Sequence, residues 1–241
     1  MLFKKLQNQY KKEFSNLIDQ TQYNHRKKSL FCYIEVVRKH LSGPFSVDGD
    51  VFIIDSMPLE ICRNARVNGL KTCREEFKTS PEKGFCTSQN QYYFGYKLHG
   101  ICTFDGVFTS IDLSKANVHD IHYLKDVKVQ LSDCTLLGDK SYLSSDQKID
   151  LFTSAGVKLE TLISTNQKGY KKQPYIFRKS RKRIETLYSQ LCDQFMIRRN
   201  YAKTFMGFKT RILSKTTALT LVQYINRFIY NRPINLLKHA I

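Results

Sequence analysis

The sequence predicts an α/β fold, with a mixed sheet flanked by helices and a helical region before the sheet. Two short apolar runs, Val51–Ile54 and Cys134–Leu137, are each followed by an aspartate and are typical of buried strands. Between them, Asp105-Gly106 separates two strand-like segments, which indicates a hairpin. Strands that alternate with helical segments favour one sheet covered by helices.

The first element in the chain is a helical region. In this region Ile34, Val37 and Leu41 recur at helical spacing, and Ser42-Gly43-Pro44 marks the end of the helix. We therefore expect three parts along the chain: an N-terminal helical region at 1–47, an α/β domain at 48–232 and a C-terminal tail at 233–241.

The α/β part is predicted to begin with the strand at 51–54, followed by a long polar loop at 63–91. The hairpin then comprises the strands Tyr92–Phe104 and Val107–Leu113. The remaining predicted elements are a helix at His119–Leu131, a strand at Cys134–Leu137, a helix at 146–155, a strand at Leu159–Ser164, a cationic connector at 166–183 and helices at 184–232.

The charge of the chain indicates a polyanionic partner. There are 39 Lys and Arg against 21 Asp and Glu, a net charge of +18. Residues 165–215 alone hold fourteen basic and two acidic residues. Nucleic acid is the leading candidate and an anionic membrane surface the second. No apolar run approaches the ~20 residues that would span a bilayer, and the N-terminus lacks an apolar signal core, so we expect a cytoplasmic protein.

The seven cysteines include no Cys-x-x-Cys pair, which favours reduced thiols. Two metal sites could also be built on other residues. His119 and His122 have helical spacing but no clear third ligand, so a structural role is favoured. A zinc site could be formed by Cys62, Cys73, Cys86 and His99. This site is less favoured still, because the spacing of these residues fits no common zinc-binding pattern.

Three carboxylates occupy positions suited to phosphodiester chemistry. Asp55 and Asp139 follow the two apolar strands, and Glu185 lies beside the apolar stripe of a predicted basic helix. Carboxylates at the ends of neighbouring parallel strands can face one cleft, and a helix at that edge can supply a third. Hard divalent cations prefer such oxygen ligands and, in pairs, activate water or a 3′-hydroxyl.

Each carboxylate also has an ordinary explanation. An aspartate after a strand is commonly a turn former, and Glu185 could pair with Arg181 on the helix surface. Spacing alone also leaves Asp105, Asp112 and Asp120 available.

Three segments resemble the signature regions of DDE transposases: Ile53–Ser56, Leu137–Tyr142 and Arg183–Leu191. Asn117–Asp120, Gly207–Arg211 and Tyr224–Asn226 are also similar to this family. The resemblance covers roughly residues 45–230 and is closest to the IS982 family within the IS4/IS5-like group.

The resemblance implies a ribonuclease-H-like fold for the domain at 48–232. It implies that Asp55, Asp139 and Glu185 are the catalytic residues and bind Mg²⁺ (or Mn²⁺) for DNA strand cleavage and strand transfer at the ends of an insertion sequence. The partners implied are terminal inverted repeats, target DNA and a second copy in a homodimer, with no membrane. The location implied is the bacterial cytoplasm, in association with the nucleoid.

A basic surface is expected to hold the DNA, because phosphate contacts combine well with aromatic stacking on bases. Tyr170, Tyr175 and Phe177 are interleaved with the charges. The predicted DNA-binding residues are Lys171, Lys172, Arg178, Arg181, Lys182, Arg183, Arg198, Arg199 and Lys203.

The chain departs from the IS4-like pattern around the catalytic helix. Arg181 fits the arginine position four residues before Glu185, but Arg178 stands at the tyrosine position and Cys192 at the lysine position. The N-terminal helical region at 1–47, for which the resemblance implies DNA binding, is also short for the family. Two alternatives therefore stand beside the transposase: a truncated or catalytically inactive DNA-binding remnant, and a ribonuclease-H-like nuclease without strand transfer.

Overall fold

The computed structural model describes residues 2–46, 50–62, 64–161 and 174–237. Within these ranges, six strands form one mixed sheet with helices on both faces, and three helices precede the sheet. The predicted α/β class is confirmed, and the arrangement is consistent with a ribonuclease-H-like transposase fold. No helix in the described part of the chain is both long and apolar enough to cross a bilayer.

The strands are β1 (Val51–Cys62), β2 (Glu82–Cys86), β3 (Gln91–Thr103), β4 (Phe108–Lys115), β5 (Thr135–Gly138) and β6 (Lys158–Thr161). The helices are α1 (Leu2–Gln9), α2 (Gln20–Ser29), α3 (Phe31–Ser42), α4 (Leu124–Val127), α5 (Ser145–Ala155), α6 (Tyr175–Asp193) and α7 (Phe205–Tyr224). A π-helical turn, Ile225–Ile229, continues α7.

The strand order is β2-β3-β1-β5-β6, and β4 also pairs with β3. β3 is antiparallel to β1, β2 and β4, whereas β5 is parallel to β1 and β6. β2 pairs with the first part of β3 and β4 with the rest, so these two strands lie end to end along one edge. The hairpin predicted at Asp105-Gly106 joins β3 to β4, and Gly106 adopts a positive φ of 90° there.

Two apolar layers hold the sheet between helices. Ile53, Leu59 and Leu137 belong to the layer beneath α6 and α7. On the other face, Ile54 and Leu136 belong to the layer beneath α4 and α5. This alternation along β1 and β5 is the two-residue period of a strand buried on both faces.

The predicted loop at 63–91 is wrong in part, because Glu82–Cys86 forms β2. This segment has no run of β-branched residues, and its extended form depends on pairing with β3 and on a close approach to Ala116. A Cβ atom at Gly84 would lie 2.5 Å from the carbonyl oxygen of Ala116, so only glycine fits without rearrangement.

Two predicted helix boundaries also need correction. The helix predicted at His119–Leu131 is limited to a 3₁₀ turn, Asp120–Tyr123, followed by the short α4. The connector predicted at 166–183 is helical from Tyr175, because Phe177 extends the apolar stripe of α6 towards its start and packs against the core. The end of the strand predicted at Leu159–Ser164 and the start of that connector lie outside the described residues.

The N-terminal helices pack on the sheet domain through α3, which contacts α7 and β4. Arg38 on α3 is fully buried and donates to the carbonyl oxygens of Phe108 and Thr109, each at 3.0 Å. Its guanidinium also binds the Glu35 carboxylate, with distances of 2.6 and 2.8 Å. One charged side chain thus joins α3 to the start of β4. The division of the chain at 47/48 and 232/233 stays a prediction.

A buried histidine should make stability depend on pH. His99 on β3 stacks on Tyr123 with ring centroids 4.6 Å apart, and its Nε2 lies 2.7 Å from Ser114 Oγ. Burial, with a smaller effect of Lys97, lowers the pKa of His99 to about 4. The folded state therefore binds fewer protons than the unfolded state, so this contribution is complete above pH ~6.5 and is lost as pH falls towards 4.

We expect acidification from pH 7 to pH 4 to remove roughly 2–3 kcal/mol of stability through this one group. Urea unfolding across this pH range would measure the effect, and His99→Gln should flatten the curve by that amount. His122→Gln, which changes an exposed histidine, is the matched control. Equal curves for the wild type and His99→Gln would contradict the prediction.

Candidate active site

The register of β1 and β5 brings the two predicted aspartates to neighbouring positions. Ile53 pairs with Leu137, and Asp55 and Asp139 each lie two residues further along their strands. Ile53 and Leu137 both face the layer beneath α6, so the two aspartates continue this face by strand alternation. The parallel strands therefore deliver two carboxylates to one edge of the sheet.

Asp55 does not end its strand, contrary to the expectation from the apolar run. β1 continues to Cys62 because β3 pairs with it along its whole length. Among the described residues, parallel pairing of β1 with β5 ends at Ile53. Beyond Ile53, no described strand pairs with this edge of β1. An unpaired edge also accommodates Pro58, which has no N–H to donate. The opening of this edge, rather than a strand end, exposes Asp55 to a cleft.

Asp139 directly follows β5, as predicted, and caps the 3₁₀ turn Lys140–Tyr142. Its Oδ1 accepts a hydrogen bond from Ser141 N at 2.7 Å and another from Ser141 Oγ. These contacts fix one carboxylate oxygen and leave the other available for a ligand. The turn-forming role and a catalytic role are therefore compatible in one side chain.

Glu185 is an exposed residue of α6, and the same helix is anchored one turn later by Tyr188. The Tyr188 hydroxyl donates to the backbone oxygens of Asp55 at 2.8 Å and Leu98 at 3.3 Å. Gly100 pairs with Asp55 and makes room for this contact, because a Cβ atom there would lie 2.8 Å from Tyr188 Oη. The helix that carries Glu185 is thus held against the strand that carries Asp55.

A cleft of about 560 Å³ is lined by all three predicted catalytic residues. Its other lining residues are Ser56, Pro58, Phe85, Cys86, Thr87, Ser88, Tyr93, Lys97, His119, Asp120, Ser141 and Arg181. The structure thus brings Asp55, Asp139 and Glu185 to one cavity, together with one residue of the predicted DNA-binding set, Arg181.

Asp55 is the carboxyl most affected by this environment. Burial raises its pKa to about 7, with smaller upward effects of Asp139 and Asp120. The hydrogen bond from Ser56 N, at 2.8 Å, and the positive charge of Arg181 act in the opposite direction. A buried acid beside other acids is stabilised in its ionised form by a cation.

The donor set fits a hard divalent cation, because carboxylate oxygens are the ligands that Mg²⁺ prefers. In the described ranges, however, no three His, Cys, Asp or Glu side chains are arranged to hold one ion. Asp55 lies on β1, Asp139 directly follows the adjacent β5, and the exposed Glu185 is supplied from α6 across the cleft. The three residues are therefore of the type that binds a divalent cation, but their side chains do not converge on one ion position in this structure.

Sequence reasoning missed the ion pair of Lys97 and Asp120 in this cleft. Lys97 Nζ donates to Asp120 Oδ1 at 2.9 Å and to the Val118 oxygen at 2.8 Å. Asp120 is therefore already partnered, which sets it apart from Asp55. The segment Asn117–Asp120 was noted for its similarity to a family motif, but no local signal connects it with Lys97.

The other candidate metal sites receive no support. His119 Nδ1 accepts from Ile121 N at 3.3 Å and caps the 3₁₀ turn, the structural role favoured for it. Among the described residues, no three His, Cys, Asp or Glu side chains are placed to hold one metal ion, so the structure does not support the zinc site. Tyr142, at the end of the segment Leu137–Tyr142, is fully buried in the layer beneath α5.

The predicted DNA-binding residues fall in three groups. Arg181, Lys182 and Arg183 lie on α6, with Lys182 and Arg183 exposed. Exposed residues of the segment between α6 and α7 form the second group, which comprises Arg198, Arg199 and Lys203. Arg178 is helical without a described side chain, and Lys171 and Lys172 lie outside the described residues.

Comparison with known proteins gives one informative result. Searches of curated proteins and of solved structures give no significant match. The family model described as Transposase DDE domain matches residues 47–221, a range that contains all six strands and the three carboxylates that line the cleft. Because this range is well over half of the chain, the protein belongs to the transposase DDE domain family.

Proposed function

We propose that the protein is the DDE transposase of an IS982-like insertion sequence and that it cleaves and joins DNA at the element ends. The observation that supports this most is the register that sets Asp55 beside Asp139, on the face covered by the helix carrying Glu185. Membership of the transposase family and the net charge of +18 support DNA as the substrate.

Asp55, Asp139 and Glu185 would hold Mg²⁺ or Mn²⁺. When bound, such cations make water or a 3′-hydroxyl a better nucleophile and stabilise the leaving oxygen. The negative charge around Asp55 favours cation binding, and the Asp139–Ser141 contacts hold one ligand group in a fixed direction. Arg181, on the same cleft, would attract the scissile phosphate.

Two displacements at phosphorus account for the proposed reaction. In cleavage, the oxygen of water forms a bond to phosphorus while the bond to the 3′-oxygen breaks, and that oxygen takes a proton to become a 3′-hydroxyl. In joining, this hydroxyl attacks a target phosphate and loses its proton, and a second 3′-oxygen leaves. Phosphodiester bonds are conserved in the joining step, so no external energy source is needed.

The wider assembly follows from the same proposal. DNA bearing the terminal inverted repeats would run along the basic residues of α6 and of the segment after it. Transposition joins two element ends, which we expect a homodimer to hold together. The protein would act in the bacterial cytoplasm, in association with the nucleoid.

A two-stage assay tests this function. Duplexes taken from the genomic flanks of this reading frame are incubated with the protein in Mg²⁺ or in EDTA. We expect Mg²⁺-dependent nicking at the element end, followed by covalent joining to a target plasmid. Nicking without joining would indicate a nuclease, and binding without nicking would indicate an inactive remnant. Either result would overturn the transposase proposal.

A further inference from the structure

A cationic cavity, separate from the cleft of Asp55, lies between the N-terminal helices and the start of α7. This α2–α7 cleft has a volume of about 240 Å³ and shares no lining residue with the cleft of Asp55. Its lining residues are Asn24, His25, Lys27, Lys28, Ala202, Lys203, Thr204, Gly207, Thr210 and Arg211.

Positive charge is concentrated in this cleft. Among the described residues, none of Lys27, Lys28, Lys203 and Arg211 forms an ion pair with a carboxylate. Burial and the Arg211 charge lower the pKa of Lys27. Burial, Arg211 and Lys27 lower the pKa of the neighbouring Lys215 to about 8. Cations held this close together without an anion are costly, and a bound anion would stabilise them.

A neighbouring cavity has two lining residues, Lys203 and Thr204, in common with the α2–α7 cleft. Lys71 and Arg74 line this second cavity and extend the basic surface. The carboxylate at this end, Glu75, accepts a hydrogen bond from Phe205 N at the first turn of α7. Cations that line two adjacent cavities fit a chain of phosphates better than one isolated anion.

The character of the lining selects among polyanions. Apart from Ala202, which is buried, the α2–α7 cleft is lined by polar side chains and a glycine. No apolar side chain is therefore offered to the acyl region of a membrane. The backbone of a nucleic acid requires only positive charge and hydrogen-bond donors.

We propose that the α2–α7 cleft binds backbone phosphates of duplex DNA and so anchors DNA on the side of the N-terminal helices, outside the catalytic cleft. This inference rests on the proposed function only in its choice of DNA as the polyanion. It adds Lys27 and Lys28 of α2 to the DNA-binding surface.

The test is the salt dependence of binding to a fluorescent duplex of arbitrary sequence, without divalent cation. Lys27→Gln/Arg211→Gln should raise Kd about tenfold or more near 0.1 M salt. It should also reduce the slope of log K against log [salt] by about 2, since each phosphate contact contributes ~0.9. Lys125→Gln/Lys148→Gln removes the same charge from exposed residues of α4 and α5 and should leave the slope unchanged.

Lys27 is half-buried, so Lys28→Gln/Lys203→Gln, at two exposed positions of the same cleft, provides a second variant that does not disturb packing. A slope equal to that of the control pair in both variants would overturn the proposal. Nicking is measured separately on the wild type. If the wild type does not nick DNA but its binding still depends on this cleft, the transposase function is contradicted and the cleft proposal is not.

Two further titrations distinguish the source of the anion. Inorganic phosphate at millimolar concentration should compete weakly and equally for the wild type and the control. Vesicles rich in phosphatidylserine should bind the wild type and the cleft variants alike. If the cleft variants lose vesicle binding but bind the duplex as the wild type does, the proposal is overturned in favour of a membrane. If phosphate binds tightly and leaves duplex binding unchanged, the proposal is overturned in favour of a small anion.

Discussion

Asp139→Asn is expected to reduce Mg²⁺-dependent DNA cleavage by a factor on the order of 10³, the scale of losing a transition-state electrostatic contact. The amide keeps an oxygen that can accept from Ser141 N, so the turn after β5 should remain intact. It lacks the negative charge that a divalent cation requires of its ligand. DNA affinity should stay constant or rise, because a repulsive charge is removed from the cleft.

The measurement is the rate of nicking of an element-end duplex at saturating protein, together with Kd in the absence of metal. Asp146→Asn is the matched control, because Asp146 is an exposed acid in the first turn of α5 and undergoes the same change of charge. Cleavage by Asp139→Asn at the wild-type rate would remove Asp139 from the catalytic residues.

Arg38→Met is expected to lower the free energy of unfolding by about 3–5 kcal/mol, the usual effect of breaking a buried charge pair. The loss leaves the carbonyl oxygens of Phe108 and Thr109 without this donor and deprives Glu35 of its partner. Because Arg38 joins α3 to β4, we also expect the N-terminal helices to exchange amide hydrogens faster than in the wild type.

Urea unfolding measures the first effect and hydrogen exchange the second. Lys39→Gln removes the same charge from the neighbouring, exposed position on α3 and should change stability by less than about 0.5 kcal/mol. The double variant Glu35→Met/Arg38→Met should recover part of the loss, since no carboxylate is left unpaired. A cost below about 1 kcal/mol for Arg38→Met would show that this contact does not hold α3 in place.

Local patterns in the sequence were sufficient for the fold class and for the elements that bury apolar side chains. The run at Val51–Ile54 lies in β1 and residues 135–137 of the second run lie in β5, because continuous apolar strands need cover on both faces. The hairpin at Asp105-Gly106 was equally local, because Gly106 supplies the positive φ of the turn, but the connection comprises the four residues 104–107 and not the two predicted. Asp55, Asp139 and Glu185 could be selected as candidates by their positions beside these elements.

Elements that depend on a distant partner could not be predicted in this way. β2 is extended because β3 pairs with it, and the first turns of α6 are helical because Phe177 meets the core. Neither condition is visible in a window of neighbouring residues. Propensity is a weak local bias, and long-range packing overrides it.

In the candidate site, too, local sequence patterns account for some features and contacts between distant residues account for the others. The sequence by itself determined which acids and bases the chain has and which of them border apolar strands or a basic helix. Only the tertiary structure decided that Asp120 is partnered by Lys97, that β1 loses its β5 neighbour just before Asp55, and that Lys27 meets Arg211. Electrostatic interactions act through space at a few ångströms, so residues far apart in the chain become partners only after the sheet and its helices have assembled.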